Sequence, residues 1–243
     1  MSDIRVPSSP ITQSTAQQPR VSRLSRRPSR MPRWMVILLI ALTVLLAGLL
    51  LAKGLMEGYL STQQAMREAA HQKLIKEHPL SYREEIQKAA QENNVKPAFL
   101  AAIILCESSY RRDAESNVGA RGLMQVMPGT ASWIAGKLNE EGSYSFDQMY
   151  DAATNIRYGS WYIGYLSQRF NADPILVASA YHAGQNEVAG WLSDPEYSSD
   201  GQTLHINDMV DGPTKQYAQK VVSAYAIYQR LYFETQPETE PAS

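Results

Sequence analysis

Apolar and polar positions along this chain fall into three patterns. From Trp34 to Ala52 the run is unbroken: WMVILLIALTVLLAGLLLA, 19 residues without a charge. At about 1.5 Å per residue such a helix spans roughly 28 Å, close to the hydrocarbon thickness of a bilayer. Before it, residues 1–33 are rich in Ser, Pro, Gln and Arg and lack apolar periodicity, which predicts a disordered tail. After it, residues 53–78 are mostly polar helix formers and predict a helical stalk ending at Pro79. A folded domain is expected over 79–233, and residues 234–243 read as a disordered end.

Within 79–233 the apolar spacing is helical. Ser81-x-x-Glu84 has the form of a capping box and predicts a first helix to about Asn94. Pro97 suits the first turn of a second, through Glu107. Further helices are expected over Thr130–Leu138, Ala152–Phe170, Pro174–Ala183 and Asn186–Leu192, and from Pro213 or Thr214 to Phe233. A small hairpin is expected around 196–207. The fold class is therefore mainly α: one compact helical domain preceded by one transmembrane helix.

Charge gives the apolar run a direction. Residues 1–33 hold seven Arg and one acid, a charge of +6, and the remaining residues carry −7. Arg33 and Lys53 bracket the run, and Trp34 sits where an interfacial aromatic belongs. The positive-inside rule keeps the Arg-rich tail in the cytoplasm and puts the body outside the cytoplasmic membrane. A cleaved signal peptide also begins this way. The long charged leader, and the lack of a clear A-x-A site after the run, favour an uncleaved anchor. The acidic body argues against nucleic acid as a partner. The single cysteine, Cys106, excludes an intrachain disulfide, and the four His show no metal-ligand spacing. No cofactor or metal is expected.

Glu107 breaks the pattern. On a helical wheel it falls within the apolar arc of Phe99, Leu100, Ile103 and Ile104. Burial and the negative end of a helix both favour a neutral carboxyl. Such a carboxyl can protonate the leaving oxygen of a glycosidic bond. The plainer alternative is a Glu at a fraying helix end, reaching water or pairing with Arg111 or Arg112.

Four blocks follow in order: Glu107-Ser108, Gly122-Leu-Met-Gln125, Asn155-Ile-Arg-Tyr-Gly159 and Ala180-Tyr-His-Ala-Gly184. Together they resemble the lytic transglycosylases, specifically the catalytic domain of the soluble lytic transglycosylase family. The resemblance covers roughly 79–233. It implies a lysozyme-like helical fold, peptidoglycan glycan strands as substrate, and cleavage of the β-1,4 bond between N-acetylmuramic acid and N-acetylglucosamine with a 1,6-anhydro product. It implies Glu107 as the single acid and then base, and Tyr181 beside it holding the reacting sugar. Ser108 would support Glu107 or touch substrate. Gly122, Leu123, Met124 and Gln125 would line the groove, and His182, Ala183 and Tyr217 would contact substrate.

Three positions depart from the family pattern. His182 stands where Asn is usual, Pro213 where an acid is usual, and Cys106 where a polar residue such as Gln is common. Cys106 reads as a small buried apolar residue. Met124 and Met127 suit packing, as do Tyr144, Tyr158, Trp161 and Trp191, although aromatic rings can also stack on sugars. Asp113 and Glu115 could position a water, which would make the enzyme a hydrolytic lysozyme. A wall-binding scaffold without chemistry is the other alternative.

Overall fold

The computed structural model describes residues 30–207, 209 and 212–234. The basic tail up to residue 29 and the C-terminal residues from 235 lie outside the described residues. The chain divides into two compact units, 1–64 and 65–243. In the first, helix α1 (Arg33–Glu77) begins, 45 residues long and without a buried residue. The apolar run and the polar stretch after it form this one uninterrupted helix. It is the one helix among the described residues that is long and apolar enough to cross a membrane.

In the second unit the helices after α1 are α2 (Arg83–Glu92), α3 (Pro97–Ser108), α4 (Pro128–Lys137), α5 (Ala152–Arg169), α6 (Pro174–Ala183), α7 (Gln185–Ser193) and α8 (Pro213–Tyr228). No strand occurs among the described residues; only isolated bridges join Glu115 to Arg121 and Arg121 to Val126. The unit is mainly α, as the periodicity predicts. Packing closes a ring: α3 lies between α2 and α8, α8 lies on α6, α6 on α5, and α5 returns to α2. α4 packs on α5 and α7 on α6. The start of the unit is fastened to its end. Tyr228 Oη donates to the Pro79 carbonyl (2.7 Å) and Tyr232 Oη to the His78 carbonyl (2.8 Å).

Four local readings differ from expectation. The capping box does not form. Tyr82 adopts a left-handed conformation (φ 56°) and α2 starts at Arg83, so Ser81 lies outside the helix. α4 starts two residues early, because Pro128 itself takes the first helical turn. A short 3-10 helix, Phe146–Tyr150, was not legible. The hairpin at 196–207 is absent. Asp200 organises a turn there, accepting from the backbone N–H of Gln202 (2.8 Å) and Thr203 (2.7 Å), so a side chain satisfies these amides without a partner strand.

Candidate active site

α3 is apolar on every side from Ala98 to Ile104, and all of these residues are buried. No polar face exists there, so the wheel's apolar arc does not distinguish Glu107. Its environment comes instead from the helix end. Leu105, Cys106 and Glu107 are half-buried where α3 leaves the core, and Ser109 (φ 51°) and Tyr110 (φ 64°) turn the chain away. Glu107 does not pair with Arg111 or Arg112. Tyr217 Oη on α8 donates to its Oε1 at 2.6 Å. Burial pushes the Glu107 carboxyl up to about 7, against the opposing pull of this hydrogen bond. Cys106 is half-buried rather than sealed, and burial with the Glu107 charge pushes its thiol up to about 11. It stays protonated at neutral pH.

Tyr181, which feels the Glu107 charge, links this helix end to the loop 114–126. The loop backbone bonds to itself: Arg121 and Val126 exchange hydrogen bonds of 3.1 and 3.0 Å, and Gly122 N–H donates to the Ala114 carbonyl at 2.8 Å. Asn155 on α5, fully buried, then holds it from below. Its Oδ1 accepts from Met124 N–H (2.7 Å), and its Nδ2 donates to the carbonyls of Arg121 and Met149 (both 2.8 Å). A side chain at Gly122 (φ 76°) would collide with the Met149 carbonyl and Asn155, and one at Gly159 would collide with Met124. The Asn155–Gly159 block thus carries the Gly122–Gln125 block. Sequence reasoning missed this role of Asn155, although its fixed place in the motif was the available signal.

The loop residues expected to line a groove are mostly buried. Leu123 and Met124 are fully buried and pack beneath the loop. Gly122 is buried too. Gln125 is half-buried in a left-handed conformation (φ 47°), and its Nε2 donates to the carbonyls of Ala114 (3.1 Å) and Gly122 (3.0 Å). Its amide nitrogen braces the loop. Ser108 is also buried, and its hydroxyl donates to the Ile104 carbonyl (3.3 Å).

The remaining site residues come from the end of α6 and the start of α8. Tyr181 Oη donates to the Met124 carbonyl at 2.7 Å, tying α6 to the loop. Burial and the Glu107 charge hold its phenol well above the usual range, so it remains neutral. The exposed His182 ring lies 4.7 Å from that of Tyr217, and its Nδ1 lies 3.0 Å from Thr214 Oγ1. Ala183, half-buried, ends α6. Thr214 was not singled out in the sequence. Pro213 is the first residue of α8, where it supplies a helix start rather than a charge.

Asp113 is exposed. Glu115 is engaged elsewhere: it accepts from Tyr150 Oη (2.7 Å) and Arg121 Nε (3.2 Å), which hold its carboxyl below the usual range. Arg121 in turn lies over the Phe146 ring at 4.5 Å. Among the described residues no cluster of three His, Cys, Asp or Glu could hold a metal ion.

Known proteins resemble this chain in sequence and fold. The model of the transglycosylase SLT domain matches residues 84–205, taking in Glu107, the loop, Asn155 and Tyr181. The soluble lytic murein transglycosylase of Escherichia coli K12 is 30% identical over 178 residues, covering 73% of this chain and 27% of that protein. Membrane-bound lytic murein transglycosylase E of Buchnera aphidicola is 31% identical over 134 residues, covering 54% of this chain and 60% of that protein. The chain thus spans about a quarter of the length of its soluble relatives. Among solved structures, the 70 kDa soluble lytic transglycosylase of Escherichia coli matches with a TM-score of 0.61 at 28% identity, over 66% of this chain and 26% of that one. An inactive mutant of the Pseudomonas aeruginosa lytic transglycosylase Slt matches with a TM-score of 0.56 at 33% identity, over 63% of this chain and 24% of that one. With half its length matched by the family model, and with the loop, its buried clamp and the carboxyl all inside the match, the chain belongs to the transglycosylase SLT domain family.

Proposed function

We propose that this protein is a lytic transglycosylase that cuts the glycan strands of peptidoglycan, with Glu107 as its acid and then its base. The carrying observation is the half-buried Glu107 carboxyl, raised to about 7 and held by Tyr217. At neutral pH a large fraction of it keeps the proton that a departing sugar oxygen needs. The names of the relatives supply the substrate class.

In this reading Glu107 gives its proton to the glycosidic oxygen as the bond to the anomeric carbon breaks, through an oxocarbenium-like state. The substrate's N-acetyl group assists at that carbon. The ionised Glu107 then takes the proton of the same sugar's 6-hydroxyl as its oxygen closes the 1,6-anhydro ring. The tethered nucleophile needs no second carboxylate. Tyr217 holds the carboxyl in place and supports its charged form. Tyr181 fixes the loop, and His182, Ala183 and the Gln125 carbonyl oxygen border the sugar.

Residues 34–52 anchor the protein in the cytoplasmic membrane in a single pass, with the basic tail inside and the domain outside. The long apolar helix and the membrane-bound relatives support this. Reporter fusions at the two ends should report opposite sides; matching signals would reject the topology.

Mass analysis of the soluble products from purified sacculi, digested with the full chain in detergent, tests the chemistry. Anhydro-muropeptides, one water lighter than hydrolytic products, are expected from the parent and not from Glu107→Gln. Reducing-end products would make the enzyme a hydrolytic lysozyme. No release by the parent would leave a wall-binding scaffold.

A further inference from the structure

A cavity of about 310 Å³ lies between the C-terminal end of α2 and the C-terminal half of α5. Gly164 brings the two helices together. A Cβ there would sit 2.8 Å from the Asn93 carbonyl oxygen, so glycine permits the close approach. Trp161 and Tyr165, one turn apart on α5 and nearly parallel (9°, 6.0 Å between centroids), form the aromatic wall. Trp133 packs edge-on against both, so the pair is braced from another side.

Amides line the cavity too, Asn93 and Asn94 from just after α2 and Gln168 from α5 itself. Asn93 Nδ2 donates to the Ala89 carbonyl (2.9 Å) and Ser160 Oγ (3.1 Å), which fixes its Oδ1 as a free acceptor. Asn94, in a left-handed conformation (φ 52°), and Gln168 also line the cavity. Both side chains are exposed, and neither amide makes a hydrogen bond to the described residues, nor does the indole N–H of half-buried Trp161. The single acid at the rim, Glu92, faces Lys88 at 4.0 Å.

This chemistry selects a ligand. Flat apolar rings match the C–H face of a pyranose, and uncommitted amides match hydroxyl and N-acetyl groups. With its one acid near a lysine, the cavity lacks the cationic lining that an anionic ligand requires. Its volume is at the small end for ligand sites, roughly 300–1,000 Å³, which suits one sugar ring rather than a chain. The aromatic wall also leads toward Glu107. Tyr165 stacks with Tyr162 (6.2 Å), Tyr162 meets Tyr181 (5.7 Å), and Tyr181 holds the Met124 carbonyl.

We propose that this cavity is an auxiliary saccharide site that holds one N-acetylhexosamine unit of a glycan strand outside the cleavage site. It rests on the reading of peptidoglycan as substrate. The site gives the enzyme a second grip on the wall, so that strand binding and strand cutting draw on different residues.

The test uses the full chain in detergent micelles, carrying Glu107→Gln and 5-fluorotryptophan, with chitotetraose as probe. The four indoles give separate fluorine resonances, and Trp161→Phe identifies that of Trp161. Chitotetraose is expected to shift the Trp161 resonance in a saturable way. The double variant Asn94→Gly, Gln168→Ala removes both free amides without straining the left-handed position. It should weaken that titration about five- to tenfold, while the same double variant in a chain that retains Glu107 keeps the rate on short soluble strands. A Trp161 resonance that never moves, or a double variant that titrates like its parent, overturns the site. The two readings fail separately. A chain that titrates at Trp161 but releases nothing from sacculi retains the site and loses the enzyme; the reverse retains the enzyme alone.

Discussion

Two regions bear on Glu107, the loop 114–126 through Tyr181 and the start of α8 through Tyr217, and they are built in opposite ways. The loop 114–126 is fixed by backbone hydrogen bonds and by a fully buried Asn155, with glycines where any side chain would collide. The other region reaches Glu107 through side chains, Tyr217 and its neighbours His182 and Thr214, which keep some exposure. Buried polar bonds in low dielectric make the first region rigid, since losing one partner leaves buried groups unsatisfied. The second region carries fewer bonds and sits against the titrating carboxyl. Shape therefore comes from one region of the site, and the proton affinity of Glu107 is adjusted from the other.

The largest expected effect is on Glu107 itself. Glu107→Gln should lower release of soluble products from sacculi by about 10²–10⁴-fold, the contribution of a positioned general acid, with folding preserved. Parental release would put the chemistry away from this carboxyl. Next comes the rigid region. Asn155→Ala removes three hydrogen bonds, taking this partner from the buried Met124 N–H and Met149 carbonyl while the Arg121 carbonyl keeps Val126 N–H, and should cost about 2–4 kcal/mol, read by denaturant unfolding. Thr214→Ala in the other region should cost less than about 1 kcal/mol. Equal losses would erase the contrast.

Glu107 also makes stability depend on pH. Its folded carboxyl holds its proton to about 7, whereas the unfolded one releases it near 4.5. The folded state binds the extra proton between these values, so stability should fall as pH rises across that window, by about 2–3 kcal/mol in all. Glu107→Gln should flatten this decline in unfolding curves taken at successive pH values. Smaller again is Tyr217→Phe. Its hydrogen bond favours the carboxylate, so its loss should move the alkaline fall of activity to higher pH and reduce the rate about tenfold. An unmoved pH profile would show that Tyr217 does not tune the carboxyl. The smallest change is His182→Asn, where an amide can still meet Thr214; steady-state release rates should stay within about threefold.

Much of this was written in local pattern. Helical spacing placed α3, α5, α6 and α8 to within a few residues, because each buries an apolar stripe and begins at a residue suited to a first turn or cap. The misreadings lie where a side chain or a left-handed residue overrides the local rule: Tyr82 displaces the start of α2, and Asp200 replaces a hairpin with a turn. Motif order drew attention to Gly122–Gln125 without separating residues that face outward from those beneath. Leu123 and Met124 proved to be supports, and Asn155 the clamp, because burial depends on what packs from the rest of the ring.

By itself the amino-acid order determined the helical class, the long apolar helix, the charge asymmetry about it and the position of one carboxyl at the end of an apolar helix. These depend on neighbours within a few turns, where periodicity and composition act directly. Only the tertiary structure decided that Tyr217, 110 positions further along, would meet Glu107, and that a loop carbonyl would be held from α6. Contacts of that separation follow from how the ring of helices closes, which no local window of residues records.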